Sequence, residues 1–137
     1  MLTRALDHKT ADKFPILDKL IDMVPDTEAV GKFKVTVSPE ELILEEPIAT
    51  HVYRIVQELI ANNLKHAQAS QTRVSVTAKQ NQLDIFYQDN GVGVEQLQKG
   101  NGLLNIEQRV EVMNGNVRFE RGKDNGFSVR ISIERKV

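Results

Sequence analysis

Glu58, Asn62 and Lys65 fall within RIVQELIANNLKHA, residues 54–67, at a spacing that brings an acid, a neutral oxygen ligand and a cation onto one helix face. On an α-helix, Asn62 lies about 40° from Glu58 and Lys65 returns to within about 20° of it. Val52, Val56, Leu59, Ile60 and Leu64 turn broadly the other way, into a core. The front of this helix suits an anionic ligand with a divalent metal between. The plain alternative is a solvated polar face, and the residues further along the chain weigh against it.

Asp89-Asn90-Gly91-Val92-Gly93 follows a strand directly. Asp89 therefore has a fixed origin, while the two glycines permit sharp turns and leave backbone uncovered for a flat ligand. An aspartate held there accepts a hydrogen bond from the amino group of a base, and such an acceptor discriminates against ligands that lack the donor. An ordinary Asx turn is the other reading of these five residues. Gly100-Asn101-Gly102-Leu103 opens a second helix, where unpaired amides and the helix dipole favour phosphate oxygens. It is neither the glycine pattern of a dinucleotide-binding unit nor that of a P-loop. An Mg²⁺ ion bridging phosphate oxygens would accept the Asn62 side-chain oxygen and otherwise keep mainly water. Lys65 would neutralise phosphate charge without touching the ion.

The elements that must position these groups follow from periodicity. Residues 13–23 repeat apolar side chains at Phe14, Leu17, Leu20 and Ile21, which predicts a short helix with Pro15 in its first turn. Residues 32–37 alternate as a half-buried strand that Pro39 ends, and residues 41–45 read as a further short edge strand. Pro47 precedes the helix that carries Glu58 and runs to about Ala67. Residues 72–78 and 83–88 form two strands joined at Gln80-Asn81 as a hairpin. Residues 102–113 form the second helix, with Leu103, Ile106, Val110 and Met113 inward and Asn114-Gly115 as a left-handed stop. Strands at 116–121 and 127–133 close the chain. The sum is an α/β two-layer sandwich, with a mixed, mostly antiparallel sheet of about five strands and helices on one face.

A chain of 137 residues with 40% apolar content supports one respectable core. With 18 Lys and Arg against 19 Asp and Glu, it has no basic run to track a phosphate backbone, so nucleic acid is not expected as a partner. Cysteine is absent, which excludes disulfides and thiolate chemistry. No apolar run approaches the roughly 18 residues of a membrane span. Direct membrane insertion is not expected, although the piece suits the cytoplasmic part of a membrane-bound parent.

With these stations in order, the chain resembles the ATP-binding domain shared by sensor histidine kinases, type II topoisomerases, Hsp90 chaperones and MutL repair proteins. The helix resembles the family's N-box, Asp89-x-Gly91-x-Gly93 its first glycine box, and Gly100-x-Gly102-Leu103 its second. Gln57 to Ala67, QELIANNLKHA, is similar to the QEALTNALKHA of nitrate-sensor and lipid-fluidity-sensor kinases. The resemblance covers residues 31–137 as an ATP-binding catalytic domain of the Bergerat fold. Residues 1–30 are an N-terminal segment and short helix, resembling either the end of a kinase linker or the domain's first helix.

The resemblance implies ATP and Mg²⁺ as cofactors, with Asn62 the metal ligand and Asp89 the partner of the adenine amino group beside Gly91 and Gly93. Lys65 and His66 would approach the phosphates or ribose. Gly100 and Gly102 would hinge a lid and open the helix whose amides near Leu103 and Leu104 receive the triphosphate. Glu58 would be catalytic, orienting an accepting histidine. Gly126-Phe127-Ser128 resembles the late glycine-threonine motif, with the Ser128 hydroxyl in place of threonine. Asn63 departs from the family's alanine on the packing side of the helix. Either it bonds to the adjacent sheet or pocket, or the helix is locally rotated.

The histidines are His8, His51 and His66, and none stands on a dimerising helix pair. The implied function is therefore a histidine kinase's catalytic domain, presenting the γ-phosphate of Mg-ATP to an acceptor histidine outside this chain. Its partners would be the dimerisation domain of a parent kinase and, downstream, a response regulator, in the bacterial cytoplasm. The isolated domain is expected to be a monomer, with apolar residues near Phe14, Leu17 and Leu20 as a contact surface. The alternatives are an anti-sigma-factor-like serine kinase and a nucleotide-binding regulator without transfer.

Overall fold

The computed structural model describes residues 15–25, 31–67, 69–91, 101–121 and 126–135. Its sheet forms from the alternating segments: β1 (Lys32–Ser38), β2 (Gln71–Ala78), β3 (Gln82–Asp89), β4 (Asn116–Arg121) and β5 (Phe127–Glu134), in the spatial order β1-β2-β3-β5-β4. β1 runs parallel to β2, and the other three pairings are antiparallel. Helix α1 (Ile16–Asp22), helix α2 (Ile48–Asn62) and helix α3 (Asn101–Val112) accompany the sheet, and α2 makes the crossover between the parallel strands.

Period-two alternation decides which sheet face is dry. Val74 and Val76, Leu83, Ile85 and Tyr87, and Val129, Ile131 and Ile133 are all buried against the helices. Val52, Ile55, Val56 and Leu59 of α2 and Ile106 and Val110 of α3 meet them. Each fully buried side chain of this size contributes about 1.5–3 kcal/mol relative to exposure. The opposite face is polar: Lys79 pairs with Asp84 at 2.9 Å, and Arg130 lies 4.5 Å from the centre of the Phe86 ring. Burial pushes the Asp84 carboxyl up, but hydrogen bonds from Gln82, Lys79 and Ser132 outweigh it and hold the group below its ordinary range.

Two ends of helices are fixed by local chemistry. Glu46 accepts the Thr50 N–H at 2.7 Å, and the Thr50 side-chain and backbone bonds lower its carboxyl pKa. At the end of α3, Asn114 adopts φ 56° while Gly115 N–H reaches Val110 C=O at 2.9 Å and Asn114 N–H reaches Glu111 C=O at 2.9 Å. That is the left-handed stop expected from Asn114-Gly115, closed as a Schellman motif.

Three expectations require correction. Residues 41–45 do not form an edge strand. Leu42 and Leu44 are buried alternately, but the Leu42 carbonyl accepts the Ile16 N–H of α1 at 2.9 Å, so this backbone serves the helix rather than a sheet neighbour. Leu20 is not a contact surface: together with Ile16 it lies fully within the core, while Ile21 is half exposed, because α1 packs through a face one residue earlier than expected. Leu64 also faces out, at 48% exposure. The α-helix gives way to a π turn at Asn63–Ala67, whose wider turn rotates Leu64 off the packing face. Phe14, two residues before α1, lies outside the described residues, as do the segment between the glycine boxes and the 122–125 connection. No helix among the described residues is long and apolar enough to cross a membrane.

Candidate functional site

Asp89 is the last residue of β3, directed to the helix side and only 6% exposed. Its Oδ1 accepts the Gly91 N–H at 3.0 Å, and its Oδ2 accepts the Tyr87 hydroxyl at 2.5 Å. The following residue turns sideways. Asn90 Oδ1 accepts the N–H groups of Ser70 and Gln71 at 3.0 and 2.8 Å, and Asn90 Nδ2 donates to Ser70 Oγ at 2.9 Å. The strand end is thus clamped to the start of β2 while Asp89 keeps its inward direction.

Above it stands the π turn. Asn63 is 4% exposed and donates through Nδ2 to Thr72 Oγ1 and to the Tyr87 hydroxyl oxygen, both at 2.8 Å. Of the two outcomes open for this buried amide, both occur: it bonds to the sheet, and the helix changes pitch at this residue. A π turn in a helix is common at functional positions because it re-aims the side chains beside it. Burial and then the hydrogen bond to Asp89 push the Tyr87 phenol well above its ordinary range, so it remains a donor.

The start of α3 closes the arrangement. A methyl group built at Gly102 would stand 2.9 Å from Asn62 Nδ2, 3.0 Å from Glu58 Oε2 and 3.1 Å from Asn62 Oδ1. The polar ends of Glu58 and Asn62 therefore converge on the first turn of α3, where the early amides have no partner within the helix. Only glycine leaves them that room. Asn62 and Glu58 are partly exposed, Lys65 and Leu104 are exposed, and Leu103 is buried as the helix's anchor. Asn62, partly exposed to water, offers a neutral side-chain oxygen of the kind Mg²⁺ accepts beside retained waters.

Ser128 is not brought to this cluster. Strand alternation puts it opposite Gln88, on the polar face, and sets Phe127 beside Asp89 instead. Gly126 makes the adjoining contact: at φ 94°, a methyl group there would meet the Asp89 carbonyl at 2.7 Å. Gly93, Gly100 and the His66 side chain lie outside the described residues. Sequence reasoning missed Tyr87 and Thr72 as members of the site. The signal for Tyr87 was present, since residues two apart on a strand share a face with Asp89. Thr72 became a neighbour only through the strand register, which pairs it with Asp89.

A helix carrying Glu58 and Asn62, an aspartate at a strand end and a glycine-opened second helix on a mixed sheet define a class of nucleotide-binding domain. The family model described as "Histidine kinase-, DNA gyrase B-, and HSP90-like ATPase" matches residues 48–137, and the chain belongs to this family as an ATP-binding domain homologous to those of histidine kinases. It is 35% identical over 89 residues to "Sensor histidine kinase ComP" of Bacillus subtilis, a match covering 61% of this chain and 12% of that protein. It is 29% identical over 137 residues to "Nitrate/nitrite sensor protein NarQ" of Escherichia coli, covering 97% of this chain and 24% of that protein. The fold also matches Acinetobacter baumannii histidine kinase AdeS with a TM-score of 0.71 at 15% identity, over 90% of this chain and 66% of the other. The chain thus spans at most about a quarter of either of these two relatives.

Proposed function

We propose that this chain is the catalytic domain of a two-component sensor histidine kinase. It binds Mg-ATP and presents the γ-phosphate to a histidine held on the dimerisation domain of a parent protein, with a response regulator receiving the phosphate afterwards. The observation that carries the reading is the convergence of Glu58 and Asn62 on Gly102, together with a buried and doubly held Asp89 at the end of β3. Residues 31–137 carry the nucleotide-binding stations, and α1 before them packs into the same core through Ile16 and Leu20. The parent works in the cytoplasm, anchored at the bacterial inner membrane.

Asp89 accepts the adenine amino group, while Gly91 and Gly93 leave room for the ring. Asn62 holds Mg²⁺, which when bound supplies positive charge to the phosphate oxygens. Lys65 and His66 add donors on the phosphate or ribose side, and Gly100 and Gly102 let the triphosphate reach the amides near Leu103 and Leu104. Glu58 stands beside the incoming imidazole and orients it for in-line attack. There is little covalent chemistry for the protein to perform, so the rate comes from positioning and charge neutralisation. The Ser128 hydroxyl, on the other sheet face, has no part in it.

Calorimetric titration of the chain with ATP, with and without Mg²⁺, tests the binding. Mg²⁺ is expected to strengthen it, and Asp89→Asn to weaken it by at least about tenfold, or ~1.4 kcal/mol for a damaged hydrogen bond. Equal affinity in the Asn variant would remove Asp89 from base recognition. Transfer is tested by adding a dimerisation domain that carries the acceptor histidine and following acid-labile protein-bound phosphate. Folded protein that binds ATP but never yields this phosphate would indicate a regulatory domain, and acid-stable phosphoserine would indicate the serine-kinase alternative.

A further inference from the structure

The geometry points to Tyr87 and Asn63 as positioning residues for base selectivity: Asn63 fixes the Tyr87 hydroxyl as a donor, and that hydroxyl aims the Asp89 carboxylate at a purine 6-amino group. This inference rests on the adenine role proposed for Asp89.

The direction of every bond in the chain is determined by the chemistry of its members. An amide nitrogen only donates, so the two contacts of Asn63 Nδ2, to Thr72 Oγ1 and to the Tyr87 oxygen at 2.8 Å each, make that oxygen an acceptor from Asn63. The phenol hydrogen is then left for Asp89 Oδ2, 2.5 Å away. The Gly91 N–H holds Oδ1 at 3.0 Å. With a donor on each oxygen, the carboxylate plane cannot rotate freely, yet each oxygen retains capacity to accept from a ligand. Asn63, Thr72, Tyr87 and Asp89 are all at most 6% exposed, so water does not compete for these bonds and the chain acts as one unit. The raised phenol pKa keeps the proton on Tyr87 and the direction unchanged across the working pH range. The four residues come from α2's extension, β2 and β3, so the polarity of the chain ties the metal-side helix to the base-side strand.

A network that only stabilised the core would affect all nucleotides alike. Aiming a carboxylate at an amino group affects them differently, because inosine triphosphate carries a 6-oxo group that offers Asp89 no hydrogen. The test is therefore the ratio of ATP to inosine triphosphate affinity with Mg²⁺ in the full chain. Tyr87→Phe is expected to lower that ratio roughly three- to tenfold, the worth of one hydrogen bond. Asn63→Ala should lower it less, since Tyr87 can still donate. Tyr87→Phe leaves an Asn63 hydrogen without its acceptor, so Asn63→Ala/Tyr87→Phe, which removes both ends of that bond, serves as the second variant. Circular dichroism verifies folding, and the same fall in ratio is expected from it. A ratio that is unchanged or higher in both Tyr87 variants overturns the inference while leaving Asp89 in place. A parent chain that binds the two nucleotides equally overturns the inference together with the adenine role itself.

Discussion

Gly102→Ala isolates the site from the fold. The added methyl would lie 2.9–3.1 Å from the polar ends of Asn62 and Glu58. Comfortable contact requires about 3.5 Å, so those ends must retreat by about 0.5 Å. They are the tips of partly exposed side chains, and no backbone atom is among the three nearest contacts. Helix propensity meanwhile favours alanine over glycine by up to about 1 kcal/mol. The two effects offset, and stability should change by no more than about 1 kcal/mol, which moves a domain of this size by about 3–6 °C. Binding should respond far more, because Mg²⁺ tolerates little departure from ligand distances near ~2.1 Å. A loss of at least about tenfold in Mg-ATP affinity is expected, some 1.4 kcal/mol. Thermal melts and calorimetry on the same sample measure both quantities. Unchanged Mg-ATP affinity, or a stability loss of several kcal/mol, would refute the reasoning that the methyl acts chiefly through its nearest neighbours, the Asn62 and Glu58 side chains.

Asn62→Ala should abolish most of the gain in ATP affinity that Mg²⁺ provides and leave the metal-free affinity nearly unchanged; equal Mg²⁺ dependence in calorimetry would rule it out as the ligand. Glu58→Gln should keep nucleotide affinity within about twofold and slow phosphate transfer by about 10²-fold or more, as for a lost acid–base or orienting group; equal single-turnover rates would exclude it from the mechanism. The Tyr87 phenol has its pKa raised from an ordinary 10.0, chiefly by burial and then by Asp89. Its contribution to stability is therefore full below pH 10 and declines as pH rises above it, because the unfolded chain ionises first. Urea melts at pH 9 and pH 11 should show a larger loss for the parent chain than for Tyr87→Phe, and identical losses would contradict the burial argument.

Much of the molecule was legible before any coordinates. The alternation of β2, β3 and β5 and the 3.6-residue period of α3 set these elements within a residue or two of their bounds, since such patterns report a dry face directly, whereas α2 ends at Asn62 and its expected last turn to Ala67 is a π turn. Glu58, Asn62, Asp89 and Gly102 were legible as well, because each sits at a fixed phase of an element with chemistry unsuited to a core. Asn63 announced a conflict between its polarity and its packing phase. The edge-strand reading of residues 41–45 failed for a related reason: alternation reports that Leu42 and Leu44 are buried, not which backbone their segment pairs with.

Sequence alone determined the five strands and the cores of the helices, the buried face of each strand and the order of the three chemical stations, all of which follow from local periodicity and residue type. Only the tertiary structure decided that Tyr87 and Thr72 belong to the site, that Ser128 lies on the far face and that Phe127 stands beside Asp89. It alone decided that Asn63 turns the helix through a π turn and exposes Leu64. These depend on strand register and on the partner a buried polar group finds across space, and neither is encoded at short range. A one-residue change of register reverses every inward side chain, so the membership of the site is settled where the strands pair.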